Sequence, residues 1–263
     1  MRHEQVLRGV PLHDRLDWAK CKVDRLDKAV RAFLHEQTVT TRSEPNAEST
    51  EYVVRVEKGI EDVPFEIGLE VGEIAHHVRS TLDWLAWKIS RSPCEDTLFP
   101  IWSRESRTPQ GRVEHPGIAG GLTRDAKRLI QRLQPYEARK GDPTNNILHW
   151  LKELDNIDKH RHLVAVGCSD SGYFRQLPVS IRGMVETEDL RSELKPERPI
   201  ARITLSEPNP GLEFQYEPLP FISVNGIAPS FDDLNIVTEL AIQVDTVRRI
   251  ITDGFVWGEL LRR

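Results

Sequence analysis

The stretch VGEIAHHVRSTLDWLAWKIS, residues 71–90, carries an apolar stripe at the spacing of an α-helix. The stripe consists of residues three or four positions apart: Val71, Ile74, Val78, Leu82, Leu85 and Ile89. This spacing puts them on one side of a helical cylinder, so the stretch is predicted to be a helix with that side in a core. Ser92 precedes Pro93 and is disfavoured in helical geometry, which predicts where the helix ends.

The side of this helix outside the stripe carries titratable groups beside two tryptophans. Its members are Glu73, His76, His77, Ser80, Asp83, Trp84 and Trp87. Spacings of three and four place several of the polar groups on one side of the cylinder, beside large aromatic rings. This pattern favours a partly buried polar surface. The alternative interpretation is packing against another helix, with the histidines hydrogen-bonded and the tryptophans in the core.

Four further helices and two β regions are predicted from periodicity and turn signals. The helices are residues 12–36, 123–133, 147–161 and 230–262, and the β regions are about 51–70 and 163–225. Residues 38–50 are predicted to be a loop, whereas 51–57 and 63–70 are predicted to form a hairpin, as are 201–206 and 212–217. Asn145 or Asn146 is expected to cap the helix at 147, and Ser230 with Asp233 to cap the last helix.

These elements predict a single α+β domain over residues 1–263. We expect a bundle of four or five helices beside β-hairpins or a small antiparallel sheet. No window approaches 18 uninterrupted apolar residues, and the first 18 residues lack the apolar core of a signal peptide. The cysteines are three and far apart, which fits a reducing compartment. We therefore expect a cytoplasmic protein that does not associate with membranes.

Charge is distributed unevenly along the chain. The net charge is −5, but residues 101–140 hold nine basic and four acidic side chains. Such a basic segment in an acidic protein can mark a surface that faces phosphates, and it predicts substrate contacts at Arg124, Lys127 and Arg128. Arg161, at the end of the helix predicted over 147–161, is a further candidate for substrate binding. The alternative interpretation is a solvated helix face followed by a loop.

The stretch ELDNIDKHRHL, residues 153–163, crowds charges at the predicted end of a helix. Basic residues at a helix C-terminus agree with the helix dipole, and the pairs Asp155–Lys159 and Asp158–His162 have the i, i+4 spacing of surface ion pairs. This account leaves out Asn156, which is unfavourable in the middle of a helix.

Two kinds of chemistry fit these two helices. Glu73 and His76 form E-x-x-H, the pair with which di-iron bundles place two ligands on one face. In that hypothesis the ligands are Glu73, His76, His77, Asp155 and His162, and the metal is Fe, Mn or Zn. The other hypothesis is cleavage of RNA through its own 2′-hydroxyl, which needs a base that titrates near neutral pH and a cation, roles that suit histidine and arginine.

A resemblance joins the two helices. GEIAHHVRSTLDWLAW (72–87) with LKELDNIDKHRHL (151–163) resembles a widespread group of uncharacterised bacterial helical proteins that carry G-D-x-x-H-N-L-R-S-A-L-D-H-L and N-I-D-K-H-R motifs. FPI at 99–101 and QPY at 134–136 also fit, so the resemblance spans about residues 65–166.

The R-S-A-L-D-H part of that pattern is in turn similar to the R-x4-6-H signature of HEPN ribonucleases. Arg79 matches the arginine, but Trp84 stands where the histidine would be. Asn156 and His160 fit the R-N-x3-H form, with Asp155 in place of its arginine. The resemblance implies a HEPN-like helical bundle, RNA as the partner and a homodimer, with either a composite site or a degenerate, inactive one.

The favoured hypothesis is a HEPN-like RNA-binding protein of a bacterial or phage defence or stress system. It is either a metal-independent endoribonuclease that needs no cofactor or an inactive relative. The catalytic candidates are Arg79, Asp83, Asn156, Asp158 and His160. The alternatives are the metal-dependent bundle enzyme and a non-catalytic oligomerising or regulatory module.

Overall fold

A computed structural model describes residues 12–107, 113–114, 118, 121–138, 142–160, 163–176, 184–210, 212, 215–227 and 234–260. The helices are α1 (Leu12–Glu36), α2 (Phe65–Ile89), α3 (Arg124–Leu133), α4 (Pro135–Ala138), α5 (Ile147–His160) and α6 (Ile236–Leu260). The strands are β1 (Thr40–Pro45), β2 (Glu51–Lys58), β3 (Ser106–Arg107), β4 (Val113–Glu114), β5 (Val164–Gln176), β6 (Met184–Asp189), β7 (Ser192–Glu193), β8 (Pro199–Leu205) and β9 (Gln215–Asn225). The fold is therefore α+β, as the sequence predicts.

Helix α2 is the element around which the other long helices pack. It contacts α1, α5 and α6, and the apolar stripe predicted for it is buried, apart from the partly buried Ile89 at its end. The helix begins earlier than predicted, at Phe65, so the strand predicted over 63–70 is wrong. Ile67 is buried four positions before Val71 and continues the same stripe, so helical burial prevails over the β propensity of this segment.

The first hairpin also differs from the prediction. The segment expected to be a loop, 38–50, contains β1, which pairs antiparallel with β2. Asn46 makes the turn, since its Oδ1 accepts hydrogen bonds from the backbone N–H groups of Thr50 and Glu51. An asparagine side chain that bonds the following backbone is a common way to close a turn.

Each of the two larger sheets pairs strands that are distant in sequence. One is antiparallel in the order β1-β2-β8-β6 and the other in the order β7-β5-β9. The predicted hairpin of 201–206 with 212–217 is therefore wrong, because β8 pairs with β2 and β6 whereas β9 pairs with β5. Pairing β8 with β2 sets Ile203 beside Tyr52 and Ala201 beside Val54, all on a buried face. Burial of that face selects the partner strand, whereas the turn signal predicts only a chain reversal.

Two hydrophobic cores result. The first joins α1, α2, α3, α5 and α6, and it includes Ile222 and Val224 of β9, which packs the three-stranded sheet on the helices. The second lies on the four-stranded sheet around Tyr52, Val54 and Ile203. Among the described helices, none has the length and apolarity needed to span a membrane.

Asparagine side chains cap two of the helices. Asn146 caps α5, because its Oδ1 accepts a hydrogen bond from the backbone of Leu148 at 2.9 Å. Asn235 caps α6 by accepting from Val237 and Thr238. The capping box predicted at 230–233 lies outside the described residues.

Two glycines let α2 approach the end of α5 closely. A Cβ added at Gly68 would lie 2.5 Å from the backbone oxygen of Leu163, and one added at Gly72 would lie 1.9 Å from Oδ1 of Asp158. Both values are far below an ordinary van der Waals contact. The absence of a side chain at these positions, one helical turn apart, is therefore a condition for the packing of α2 on α5.

Gly68→Ala is expected to lower the free energy of unfolding by about 1–3 kcal/mol, as overpacking of a core does, because the new methyl group meets backbone. This exceeds the roughly 1 kcal/mol that the helix propensity of alanine adds. Gly72→Ala is the matched control and should cost less, since a rotatable carboxylate can move aside. Urea denaturation measures both, and an equal or larger loss in Gly72→Ala would contradict the described packing.

Candidate functional site

The carboxylate of Asp155 lies where α5 packs against α2, with 3% of its side chain exposed. Nδ1 of His76, on α2, lies 2.9 Å from its Oδ1, and Nζ of Lys159 lies 2.5 Å from its Oδ2. The predicted i, i+4 pair with Lys159 thus forms, but its carboxylate is buried rather than on the surface. A buried carboxylate is stable only when its oxygens are paired, and both of these oxygens are.

The contact with Asp155 sets the hydrogen position on the imidazole of His76. A carboxylate accepts hydrogen bonds, so Nδ1 carries the proton that points at Oδ1. In the neutral ring Nε2 is then an acceptor. The side chain of His76 is 52% exposed. The arrangement therefore presents to solvent an oriented imidazole that can take up a proton.

Arg79 and Asp83, one turn apart on α2, bracket the backbone of Phe99. Nη2 of Arg79 donates to the carbonyl oxygen of Phe99 at 2.8 Å, and Oδ1 of Asp83 accepts from its N–H at 2.8 Å. The two side chains also contact each other at 3.1 Å and are 13% and 23% exposed. Burial lowers the pKa of Arg79 and raises the pKa of Asp83, and each charge opposes the shift of the other.

Gln134 holds the same segment from the opposite side. Its buried amide donates to the carbonyl oxygens of Pro100 and Ile130 and accepts from the N–H of Trp102. Arg79, Asp83 and Gln134 thus together fix residues 99–102. No role was predicted for Gln134 from the sequence, although the FPI and QPY motifs, which contain Phe99, Pro100 and Gln134, were the signal for one.

The remaining candidates of α5 lie at its C-terminal end. Asp158 places its carboxylate against Gly72 of α2. Asn156 is partly exposed and His160 is exposed. Arg161 and His162 lie outside the described residues. The structure thus brings His76, Asp155 and Asp158 to one helix interface.

The candidate substrate contacts on α3 lie in solvent. Arg124, Lys127 and Arg128 are all exposed there.

In the part of the chain that the structure describes, no three side chains of His, Cys, Asp or Glu are grouped closely enough to hold a metal ion. The E-x-x-H pair itself is divided between two partners, because Glu73 pairs with Lys22 on α1 at 2.8 Å whereas His76 pairs with Asp155 on α5.

A second histidine of α5 lies away from this interface. Nδ1 of His149 lies 2.7 Å from Oγ of Ser103. Burial lowers the pKa of the His149 imidazole, and the neighbouring Lys152 lowers it further, while Glu153 and Asp142 raise it. The pKa of His77 is likewise lowered, first by burial. Both imidazoles are therefore held toward their neutral forms in the folded protein.

Comparisons of the chain with protein-family models, with curated proteins and with solved structures gave no match. The likeness to HEPN ribonucleases and to the bacterial group with the two motifs stays a prediction.

Arg79→Met should lower the free energy of unfolding by about 3 kcal/mol, as for a buried ion pair that loses one partner. The physical reason is that Asp83 keeps its buried charge and only the Phe99 N–H to bond it. The double variant Arg79→Met, Asp83→Leu removes that charge and is expected to recover part of the loss. Urea denaturation of the wild type, Arg79→Met, Asp83→Leu and the double variant completes the double-mutant cycle. Unchanged stability of Arg79→Met would contradict the described contacts of Arg79 and Asp83 with the backbone of Phe99.

The free energy of unfolding is expected to fall as the pH is lowered through 6.5, the ordinary pKa of histidine. Because the pKa of His149 is lowered in the folded state, the unfolded chain binds a proton at this residue more readily as the pH falls below 6.5. Protonation therefore favours the unfolded state, and the folded state loses stability. His149→Gln should reduce the loss between about pH 7.5 and 5.5, the range in which imidazoles titrate. The measurement is urea denaturation of the wild type and the variant at both pH values. An equal fall in the free energy of unfolding for the two proteins would contradict the direction of the pKa shift.

Proposed function

We propose that the chain binds RNA and cleaves its phosphodiester backbone without a metal ion, with His76 as the general base. The observation that carries the proposal is the pair of an exposed imidazole with a buried carboxylate, 2.9 Å from Nδ1 of His76 to Oδ1 of Asp155. Such a carboxylate orients the ring and stabilises the imidazolium that forms when the ring takes a proton. Histidine is also the side chain best suited to proton transfer near neutral pH.

In the proposed reaction Nε2 of His76 takes the proton of a ribose 2′-hydroxyl. The 2′-oxygen forms a bond to the adjacent phosphorus, the bond from phosphorus to the 5′-oxygen breaks, and that oxygen leaves with a proton from solvent. The products are a 2′,3′-cyclic phosphate and a 5′-hydroxyl, and the imidazolium returns its proton to water. No oxidant, reductant or metal takes part.

Lys159 supplies the cation for the charge that develops on the phosphoryl oxygens. Its side chain is 47% exposed, and it binds the same carboxylate as His76. A cation held beside the base stabilises a negatively charged transition state more than the ground state. Among the catalytic candidates from the sequence, Arg79 is the arginine that could supply this cation. Its burial and its bonds to Asp83 and Phe99 favour a positioning role instead.

Cleavage of a fluorescent single-stranded RNA in EDTA tests the proposal. Wild-type protein should cleave it, and His76→Ala should lower kcat/KM by about 10²–10⁴-fold, the usual contribution of a general base. His160→Ala is the matched control, because it removes an exposed histidine from the end of α5 and should leave most of the activity. A substrate with a 2′-deoxy sugar at the scissile position should remain intact.

Absence of metal-independent cleavage by the wild type would overturn the proposal. Equal activity of wild type and His76→Ala would remove His76 as the base, and a loss confined to His160→Ala would move that role to His160. Thermal unfolding of each variant separates loss of activity from loss of fold. A cyclic phosphate terminus, detected by mass spectrometry, identifies the 2′-hydroxyl route.

A further inference from the structure

Beside the pair of His76 with Asp155, α1 and α2 present an exposed tryptophan among charged side chains. Trp18 is 44% exposed. The His77 ring lies 4.3 Å from it, centroid to centroid, at an interplanar angle of 66°. His77 lies in turn 6.3 Å from the His76 ring. Three rings therefore form a continuous row that ends at the proposed catalytic histidine.

Cationic groups accompany this row. Nζ of Lys22 lies 4.7 Å from the centroid of the Trp18 ring and 2.8 Å from the carboxylate of Glu73. One turn before Trp18 on α1, Arg15 lies over the ring of Trp84 and donates to Oγ of Ser80. Aromatic rings interleaved with cations match the two parts of an unpaired nucleotide, its planar base and its phosphate. Trp18 is also not needed for the core, since the buried stripe of α1 is formed by other residues.

We infer that Trp18 is a stacking subsite for the unpaired base next to the phosphodiester at His76, with Lys22 as its phosphate contact. The inference rests on the proposed function and specifies its substrate as single-stranded RNA. A paired base cannot leave its own stack without cost, so a duplex would be a poorer ligand. Base stacking of this kind depends little on sequence, because every base has a flat face.

The carboxylate of Glu73, beside this row, opposes the binding of RNA. Glu73 is 46% exposed, pairs with Lys22 and lies 3.9 Å from Nε2 of His77. A polyanion bound to this row must approach that carboxylate and compete with it for Lys22. Removal of its charge should therefore strengthen binding of RNA. A purely structural role of the ion pair would not have this effect.

The experiment measures binding apart from cleavage. The probe is a fluorescein-labelled, ten-nucleotide 2′-O-methyl oligoadenylate, which lacks the attacking hydroxyl, and its anisotropy is followed with full-length protein in low-salt buffer with EDTA. Trp18→Ala should raise Kd by about 5–150-fold, the equivalent of one lost stacked base. Trp18→Phe should retain most of the affinity, and Glu73→Gln should bind more tightly than the wild type. Tyr173→Ala, which removes a 46% exposed ring from β5, is the matched control and should change nothing.

Affinity of Trp18→Ala equal to that of the wild type overturns the subsite. If RNA is still cleaved in that case, the proposed function stands without it. Absence of binding by the wild type overturns both. Binding that depends on Trp18, without any cleavage of unmodified RNA, supports the subsite and removes the catalytic proposal. Tighter binding to a duplex of the same length than to the single strand also overturns the inference.

Discussion

The contact of α2 with α5 is built around one buried charge. Asp155 is almost wholly removed from water, so it must be paired, and its partners come from two helices: His76 from α2 and Lys159 from α5 itself. The glycines at 68 and 72 permit the close approach that brings the two helices together at the end of α5. The same contacts that satisfy the carboxylate orient the imidazole, so the packing of α2 on α5 and the proposed chemistry depend on the same residues.

Periodicity predicted the helices well because a helix is determined by neighbours three and four positions away. The apolar stripe of α2 and the helix 12–36 both lie where the spacing placed them. The strands were predicted less well. Whether a strand pairs with its neighbour or with one 150 residues away is decided by the face that it buries, and β8 with β2 is such a pair. The start of α2 was missed because its first turn is rich in residues that also favour strands.

For the candidate site, too, local features were predicted from the sequence whereas contacts between elements were not. The sequence indicated which residues of α2 and α5 could carry chemistry, but helix-end electrostatics made Asp155 look like a surface residue. Its burial, and the use of Arg79 to bind backbone, depend on how two helices meet and cannot be read from either helix alone. Trp18 was missed for a similar reason, since His77 becomes its neighbour only when α1 lies along α2, although Lys22 follows Trp18 by one turn on the same helix.

The segment 99–102 is held by hydrogen bonds to its main chain as well as by the buried side chains of Phe99 and Ile101. Arg79, Asp83 and Gln134 bond the N–H and carbonyl groups of Phe99, the carbonyl of Pro100 and the N–H of Trp102, and none of these bonds reaches a side chain of the segment. Anchors of this kind respond to chain length rather than to chemical identity. A substitution within this stretch therefore leaves the main-chain bonds in place, although it alters the packing of Phe99 or Ile101, whereas insertion or deletion of one residue would displace every bond at once.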